Sequence, residues 1–333
     1  MATSTRSEVT ARRGTALARR AVRLLLDRGL MSPADVHRYG MSARDVSESN
    51  GVVLVELGNG RGFAVKDTGA PRDGGQGDPA REVALYRAAG GVPGATRVLP
   101  RLELYDEDAE LLVLEGVISA RRLDRLAAPH DPLDPRLAAA FGRTLGVWHR
   151  VAAGLPPLRP AHPWLFDIDG PDRLPVLDND EKLRSLTADI LGDPAHLAAK
   201  AAVEAAWTPD TAVHGDVRFG NVLIRSSGEA LLIDWESAGA GDSRWDVAAG
   251  LQEYLSAGGV LRPGGGSDTV AAFLDGYAAG RGRPVEWDRL AEFTACRLLV
   301  RALQLTTWLP APDVEVERHR ALAREVVAVG AAL

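Results

Sequence analysis

Val213-His214-Gly215-Asp216-Val217-Arg218-Phe219-Gly220-Asn221-Val222-Leu223-Ile224-Arg225, a Ser226-Ser227-Gly228 turn and then Leu231-Leu232-Ile233-Asp234-Trp235-Glu236 form an island of short apolar strands in a stretch otherwise patterned for helices. Polar residues able to hold a metal stand at the ends of these runs, and each run fixes the position of the residue that ends it. Asp216 and Asn221 are five apart across a tight loop, and Asp234 follows thirteen later at the far end of the returning hairpin. All three can therefore converge on one point. They are hard oxygen donors, and magnesium takes one or two carboxylates plus substrate phosphates rather than a full protein cage.

Working outward, residues 41–117 carry short β-branched runs punctuated by turns. Residues 51–57 read as a strand, Gly58-Asn59-Gly60 as a hairpin turn and residues 61–66 as its partner. A Gly-, Pro- and Asp-rich loop spans 67–79, a helix carrying Glu82 follows over 80–89, and a second hairpin pairs 101–105 with 111–114 around Asp106-Glu107-Asp108. Upstream, Leu17, Val22, Leu25 and Leu26 repeat with helical spacing among arginines, an N-terminal helical extension over 1–38. After Val117 helices dominate: Leu137, Phe141, Leu145 and Trp148 form one buried stripe, residues 156–163 break the chain, and three helical patterns follow Asp268. The pattern predicts an α+β fold in two lobes, an antiparallel sheet with one helix over 39–117 and a helical lobe with a small hairpin over 118–333.

Composition narrows the function. The chain has 333 residues, 46% apolar and 25% charged, which is an ordinary globular balance and excludes wholesale disorder and a fibrous fold. A formal charge of −6 argues against a nucleic-acid partner, since such binding draws on neutralised phosphates. No apolar run reaches the ~20 residues of a membrane helix, so no membrane partner is expected. Cys296 is the one cysteine, read as a core residue, and no Cys/His cluster has zinc spacing. The arginine-rich N-terminus lacks the apolar segment and cleavage site of a secretory signal. Lysine occurs only at 66, 182 and 200, a high-GC coding bias that fits a bacterial, cytoplasmic protein. The Gly58, Gly60, Gly62 cluster opens no helix and is no dinucleotide fingerprint, and no G-x-S-x-G, H-E-x-x-H or Walker A sequence appears.

Ala64-Val65-Lys66, Glu82 in Arg81-Glu82-Val83-Ala84-Leu85-Tyr86, His214-Gly215-Asp216-x-x-x-x-Asn221, Ile233-Asp234 and Trp245-Asp246-Val247-Ala248 together resemble the aminoglycoside phosphotransferase-type kinase family, a relative of the eukaryotic protein kinases. The protein-kinase pattern H-R-D-x-x-x-x-N followed by D-F-G has the same two spacings. Taken singly, Lys66 reads as a strand-edge lysine, Glu82 as a solvated helix residue and Asp216 or Asp234 as a helix cap; their order and spacing together make the resemblance. It covers about residues 47–250 and implies a bilobal protein-kinase-like fold with ATP or GTP and Mg2+ as cofactors. Lys66 would hold the α- and β-phosphates and pair with Glu82, Asn221 and Asp234 would hold magnesium, and Asp216 would accept or orient the substrate hydroxyl. Arg218 would touch the γ-phosphate or the acceptor. Glu115-Gly116-Val117 would be the hinge whose backbone meets adenine, and His214 and Asp246 would hold the catalytic loop through hydrogen bonds. Instead of G-x-G-x-x-G the chain has an Asn50-Gly51 turn to cap phosphates. Arginine is missing between His214 and Asp216 and no A-P-E follows Asp234, so control by a phosphorylated activation loop is not expected.

The leading expectation is transfer to a hydroxyl of a small molecule, such as an aminoglycoside-like antibiotic or a metabolite. A polycationic acceptor favours an acidic pocket, for which Glu236, Asp242 and Glu253 are candidates. Residues 75–86, with His162-Pro163-Trp164-Leu165, are also similar to the kinase-like components of lanthipeptide and thioamide-peptide biosynthesis. That resemblance implies a Ser/Thr kinase acting on a precursor peptide with a separate partner lyase. A pseudokinase scaffold is the remaining alternative, and the presence of Asp216, Asn221 and Asp234 speaks against it.

Overall fold

In the computed structural model the described residues are 2–47, 51–69, 78–126, 134–170, 175, 177, 180–257, 268–283, 288–309 and 311–330, the side chains of 2–14, 268 and 308 excepted. Asn50 and residues 70–77 of the Gly-rich loop lie outside them.

Hydrophobic alternation builds the first layer. Strands β1 (Met41–Asp45), β2 (Val52–Leu57), β3 (Gly62–Asp67), β4 (Leu102–Asp106) and β5 (Leu111–Glu115) form an antiparallel sheet in the order β1-β2-β3-β5-β4. Between β2 and β3 the Asn59 side chain accepts from Arg61 N at 3.0 Å and Gly60 takes φ 84°, the left-handed turn that Asn-Gly favours. Val53, Val55 and Leu57 alternate onto one face of β2 and, with Phe63 and Val65, pack against Leu17, Ala21, Leu24 and Leu25. Those four belong to α1 (Ala2–Asp27), so the extension covers the outer face of the sheet, clamped by Arg20 bonding Asp67 and the Ala109 carbonyl, both at 2.7 Å. α2 (Pro33–Tyr39) follows with a capping box at Ser32 and Asp35.

The other face of the sheet meets α3 (Pro79–Ala89), which starts at Pro79 with the Asp78 carboxylate accepting from Ala80 N at 2.8 Å. Here two sequence features were silent. β1 is exposed along its whole length and has no alternation; it exists because its backbone completes the edge of β2. Leu104 sits at a register shift between β4 and β5.

The remainder is helical: α4 (Pro135–Val151), α5 (Glu181–Leu191), α6 (Pro194–Ala206), α7 (Ser243–Ser256), α8 (Asp268–Arg281), α9 (Leu290–Trp308) and α10 (Asp313–Gly330). Phe141, Leu145 and Trp148 of α4 are fully buried. α4 and α8 touch through facing glycines: a Cβ at Gly142 would lie 2.0 Å from the Phe273 carbonyl oxygen, and one at Gly280 2.2 Å from that of Arg143. Inserted among these helices are β6 (Arg121–Arg122), β8 (Val222–Ile224) and β9 (Ala230–Leu232), paired in that order, and β7 (Thr211–Val213) paired with β10 (Gly239–Gly241). β9 ends at Leu232, and the chain is out of extended geometry at Asp234, where φ is 68°. Cys296 is buried in α9, its thiol pushed up to about 12 by burial. No helix of the described residues is long and apolar enough to cross a membrane.

Candidate active site

Asp246, on the first turn of α7 and fully buried, organises the loop that leaves β7. Its carboxylate accepts from His214 N at 2.6 Å, Gly215 N at 2.9 Å and His149 Nε2 at 3.1 Å. Burial alone would raise its pKa, but the hydrogen bond from His149, with that from His214 N, outweighs it and holds the carboxyl below the usual carboxylate range. His149 Nδ1 meets the Tyr277 hydroxyl at 2.9 Å, so with the ring proton on Nε2 the tyrosine donates to Nδ1. Gly215 has φ 82°, and a Cβ there would stand 2.5 Å from the Ser237 carbonyl oxygen; only glycine fits. His214 Nδ1 accepts from Asp216 N at 3.3 Å, which leaves Nε2–H to donate to the Ile233 carbonyl at 2.9 Å. One imidazole thus ties the loop bearing Asp216 to the strand end bearing Asp234.

Lys66 shares the face of β3 on which Ala64 lies and points at α3 and the β9 exit. Its Nζ lies 2.7 Å from Glu82 Oε2, 2.5 Å from Asp234 Oδ1 and 3.1 Å from Glu236 Oε2. Burial works against the ammonium charge, yet the three carboxylates overcome it and lift Lys66 above its ordinary value. For Asp234 burial is likewise outweighed, by Lys66, and its carboxyl stays low, whereas burial of Glu82 exceeds what Lys66 returns and pushes it up. Glu82 Oε1 accepts from Trp235 N at 3.2 Å, so α3 holds both Lys66 and the backbone that follows Asp234. Arg218 Nε is 3.3 Å from Asp216 Oδ2 and its Nη2 is 3.9 Å from Asp234 Oδ2. The Asn221 amide donates to Asp216 O at 3.0 Å and Oδ2 at 3.2 Å.

Lys66, Glu82, Asp234, Arg218, Asp216 and Asn221 therefore form one chain of contacts. Carboxylate oxygens of Glu82, Asp234 and Glu236 lie within 4.8 Å of one another. These three carboxylates surround the Lys66 ammonium, and as hard oxygen donors they are of the kind that suits a small divalent cation.

Gly51, Glu115 and Val117 belong to the sheet and its exit rather than to that chain. The Gly51 carbonyl accepts from Asp67 N at 2.9 Å. Gly116 N donates to the Gly62 carbonyl at 2.9 Å, and a Cβ on Gly116 would be 2.5 Å from Phe63 N, so the segment leaving β5 runs tight against β3. Glu115 Oε1 faces Arg225 Nη2 of the β8–β9 hairpin at 3.7 Å. The Val117 N–H has no hydrogen-bond partner among the described residues.

The acidic candidates for a polycation pocket have other partners. Glu236 joins the Lys66 cluster. Asp242 caps α7, pairs with Arg244 at 2.7 Å and accepts from Thr208 N. Glu253 Oε2 accepts from Phe219 N at 2.8 Å beneath the Asp216–Asn221 loop, and its Oε1 from Gln252 Nε2 at 3.0 Å. Two participants escaped the sequence reading: Glu236 as a Lys66 partner, signalled only by standing two after Asp234, and His149, which no local motif marks.

The chain resembles several solved kinases. A choline/ethanolamine kinase family protein from Mesorhizobium loti is 20% identical, with a TM-score of 0.59 over 89% of this chain and 95% of that one. Choline kinase from Streptococcus pneumoniae is 17% identical, with a TM-score of 0.58 over 86% and 93%. An amicoumacin kinase solved in complex with AMP-PNP, Ca2+ and Ami is 12% identical, with a TM-score of 0.54 over 91% and 93%. At these identities the likeness establishes the kinase-like α+β fold. Among curated proteins no sequence matches. The family model described as phosphotransferase enzyme family matches residues 42–293, well over half of the chain. With that match and the kinase-like fold around Lys66, Asp216 and Asp234, the chain belongs to the phosphotransferase enzyme family.

Proposed function

We propose that this phosphotransferase moves the γ-phosphoryl group of ATP or GTP to a hydroxyl of a small molecule. The observation that carries the proposal is the junction at Lys66, whose ammonium meets Glu82 from α3 and Asp234 from the β9 exit at once, with Arg218 linking Asp234 to Asp216. A pseudokinase scaffold would not require that constellation. The division of labour follows the chain: residues 1–38 brace the sheet, 39–117 bind nucleotide and 118–333 supply catalysis and the acceptor site.

Lys66 binds the α- and β-phosphates, with Glu82 fixing its ammonium. By the resemblance Asn50, outside the described residues, and Gly51 would cap the phosphates, and Glu115 and Val117 would frame adenine, for which the Val117 N–H has no partner among the described residues. Asn221 and Asp234 hold Mg2+, which when bound supplies positive charge against the phosphate oxygens. Asp216 orients the acceptor hydroxyl and takes its proton as the oxygen bonds to Pγ; the bond from Pγ to the β,γ-bridging oxygen breaks and the nucleoside diphosphate leaves with the electron pair. A carboxylate suffices as base because the loose transition state asks mainly for position. Arg218 lies beside Asp216 to meet the transferring group. His214 and Asp246 hold the loop in place. The AMP-PNP and Ca2+ in the amicoumacin kinase structure support the nucleotide and divalent-metal assignment, and relatives named for choline, ethanolamine and amicoumacin support a small acceptor over a precursor peptide with its lyase.

Calorimetry with ATP and GTP, with and without Mg2+, tests the reading together with Asp216→Asn. Mg2+-dependent nucleotide binding is expected in both proteins, with transfer lowered by about 10²–10⁴-fold in the variant. Absence of Mg2+-dependent binding, or full turnover by Asp216→Asn, overturns it.

A further inference from the structure

Arg297, in the middle of α9, is only 5% exposed. Its guanidinium lies over the Trp245 ring, 4.9 Å from the centroid, which holds the plane in one orientation. Among the described residues it meets one hydrogen-bond acceptor, the Gly215 carbonyl, 3.5 Å from Nη1, and its buried Nε has no partner. A structural arginine of this depth normally spends its five donors on carbonyls and carboxylates, since a buried cation without partners is costly.

The carboxylates around it are committed elsewhere. Asp246 receives His214 N, Gly215 N and His149; Glu253 receives Phe219 N and Gln252; Asp216 is engaged by Arg218 and Asn221. Burial depresses the Arg297 pKa, with Asp216 the foremost charge acting in the other direction, and Arg301, one turn along α9, adds a second positive charge. Arg297 thus sits one residue behind Asp216, desolvated, rigid and underused.

We infer that Arg297 receives an anionic group of the acceptor, a carboxylate or a phosphate monoester carried close to the reacting hydroxyl. Both anions match the planar donor fork of a guanidinium. The inference rests on the proposed phosphotransferase reading and deepens it: with Asp216 holding the hydroxyl, the neighbouring substituent of the acceptor falls toward the Gly215 carbonyl and Arg297. It also turns the substrate class away from polycations, because the candidate acidic residues are paired while Arg297, among the described residues, has no ion-pair partner.

The test uses the full chain with MgATP and matched acceptors: D-glycerate and homoserine for the carboxylate, glycerol 3-phosphate for the phosphate, glycerol as the neutral counterpart, and choline and kanamycin as cations. Nucleotide binding is measured separately by calorimetry. Expected is phosphorylation of an anionic alcohol in preference to glycerol and to both cations, the carboxylate and phosphate arms deciding which anion is read. Arg297→Gln then raises KM for that acceptor by roughly tenfold to a hundredfold, the worth of one or two charge-assisted hydrogen bonds, and Arg297→Lys recovers part of it. The nucleotide dissociation constant of each variant, unchanged from wild type, shows that the fold is kept. Preferential phosphorylation of choline or kanamycin, no anionic alcohol favoured over glycerol, or an unchanged KM in Arg297→Gln each overturns the inference. Failure of MgATP to bind sinks the phosphotransferase reading instead.

Discussion

Replacing Asp246 with alanine should destabilise the chain more than its modest size suggests. The carboxylate is fully buried and satisfies three donors, His214 N, Gly215 N and His149 Nε2, of which His214 and His149 belong to buried residues. An orphaned buried donor costs about 1–3 kcal/mol and breaking a buried pair about 3–5 kcal/mol, so a loss of about 4 kcal/mol is expected. For a chain of this size that lowers Tm by about 6 °C. Tryptophan fluorescence during thermal and urea unfolding is the natural assay, because the Trp235 ring lies 4.4 Å from that of His214. The pH dependence has a definite sign. The folded carboxyl titrates below its unfolded value of about 3.9, so its contribution is complete above that pH and disappears as pH falls through the folded pKa. The gap between wild type and Asp246→Ala should therefore be flat around neutrality and close only in acid. A Tm within about 2 °C of wild type at pH 7 would refute the view that Asp246 is the organiser of this loop.

Two further substitutions test the close approaches. Gly215→Ala places a Cβ 2.5 Å from the Ser237 carbonyl at a positive φ, and the resulting shift of Asp216 should lower kcat about a hundredfold while nucleotide affinity, measured by calorimetry, changes little. Gly142→Ala drives a methyl to 2.0 Å from the Phe273 carbonyl and should separate α4 from α8 at a cost of about 1–3 kcal/mol, read by denaturant melts; wild-type stability there would mean the helices are not in glycine-mediated contact.

What the sequence by itself determined is the set of features encoded locally. The alternation 51–57, the Asn59-Gly60 turn and the run 61–66 specify β2 and β3 because side chains alternate strictly across a pleated strand. The helical run over 80–89 specifies most of α3, to which the structure adds Pro79 and the Asp78 cap. The five- and thirteen-residue spacings carry Asp216, Asn221 and Asp234, since a tight loop and a two-stranded hairpin leave few ways to arrange their ends. Tertiary structure decided what depends on residues distant in the chain. β1 and β10 are strands only because β2 and β7 offer them backbone partners, and neither Met-Ser-Ala-Arg-Asp nor Gly-Ala-Gly carries a strand pattern of its own. Glu236 changes from an acceptor-pocket candidate to a Lys66 partner because β3 delivers the ammonium 170 positions away. His149 and Arg297 look like ordinary helix residues until folding buries one against Asp246 and the other against Gly215. Burial turns a charge that water would screen into one that must find a partner, and which partner it finds is fixed by packing rather than by its neighbours in sequence.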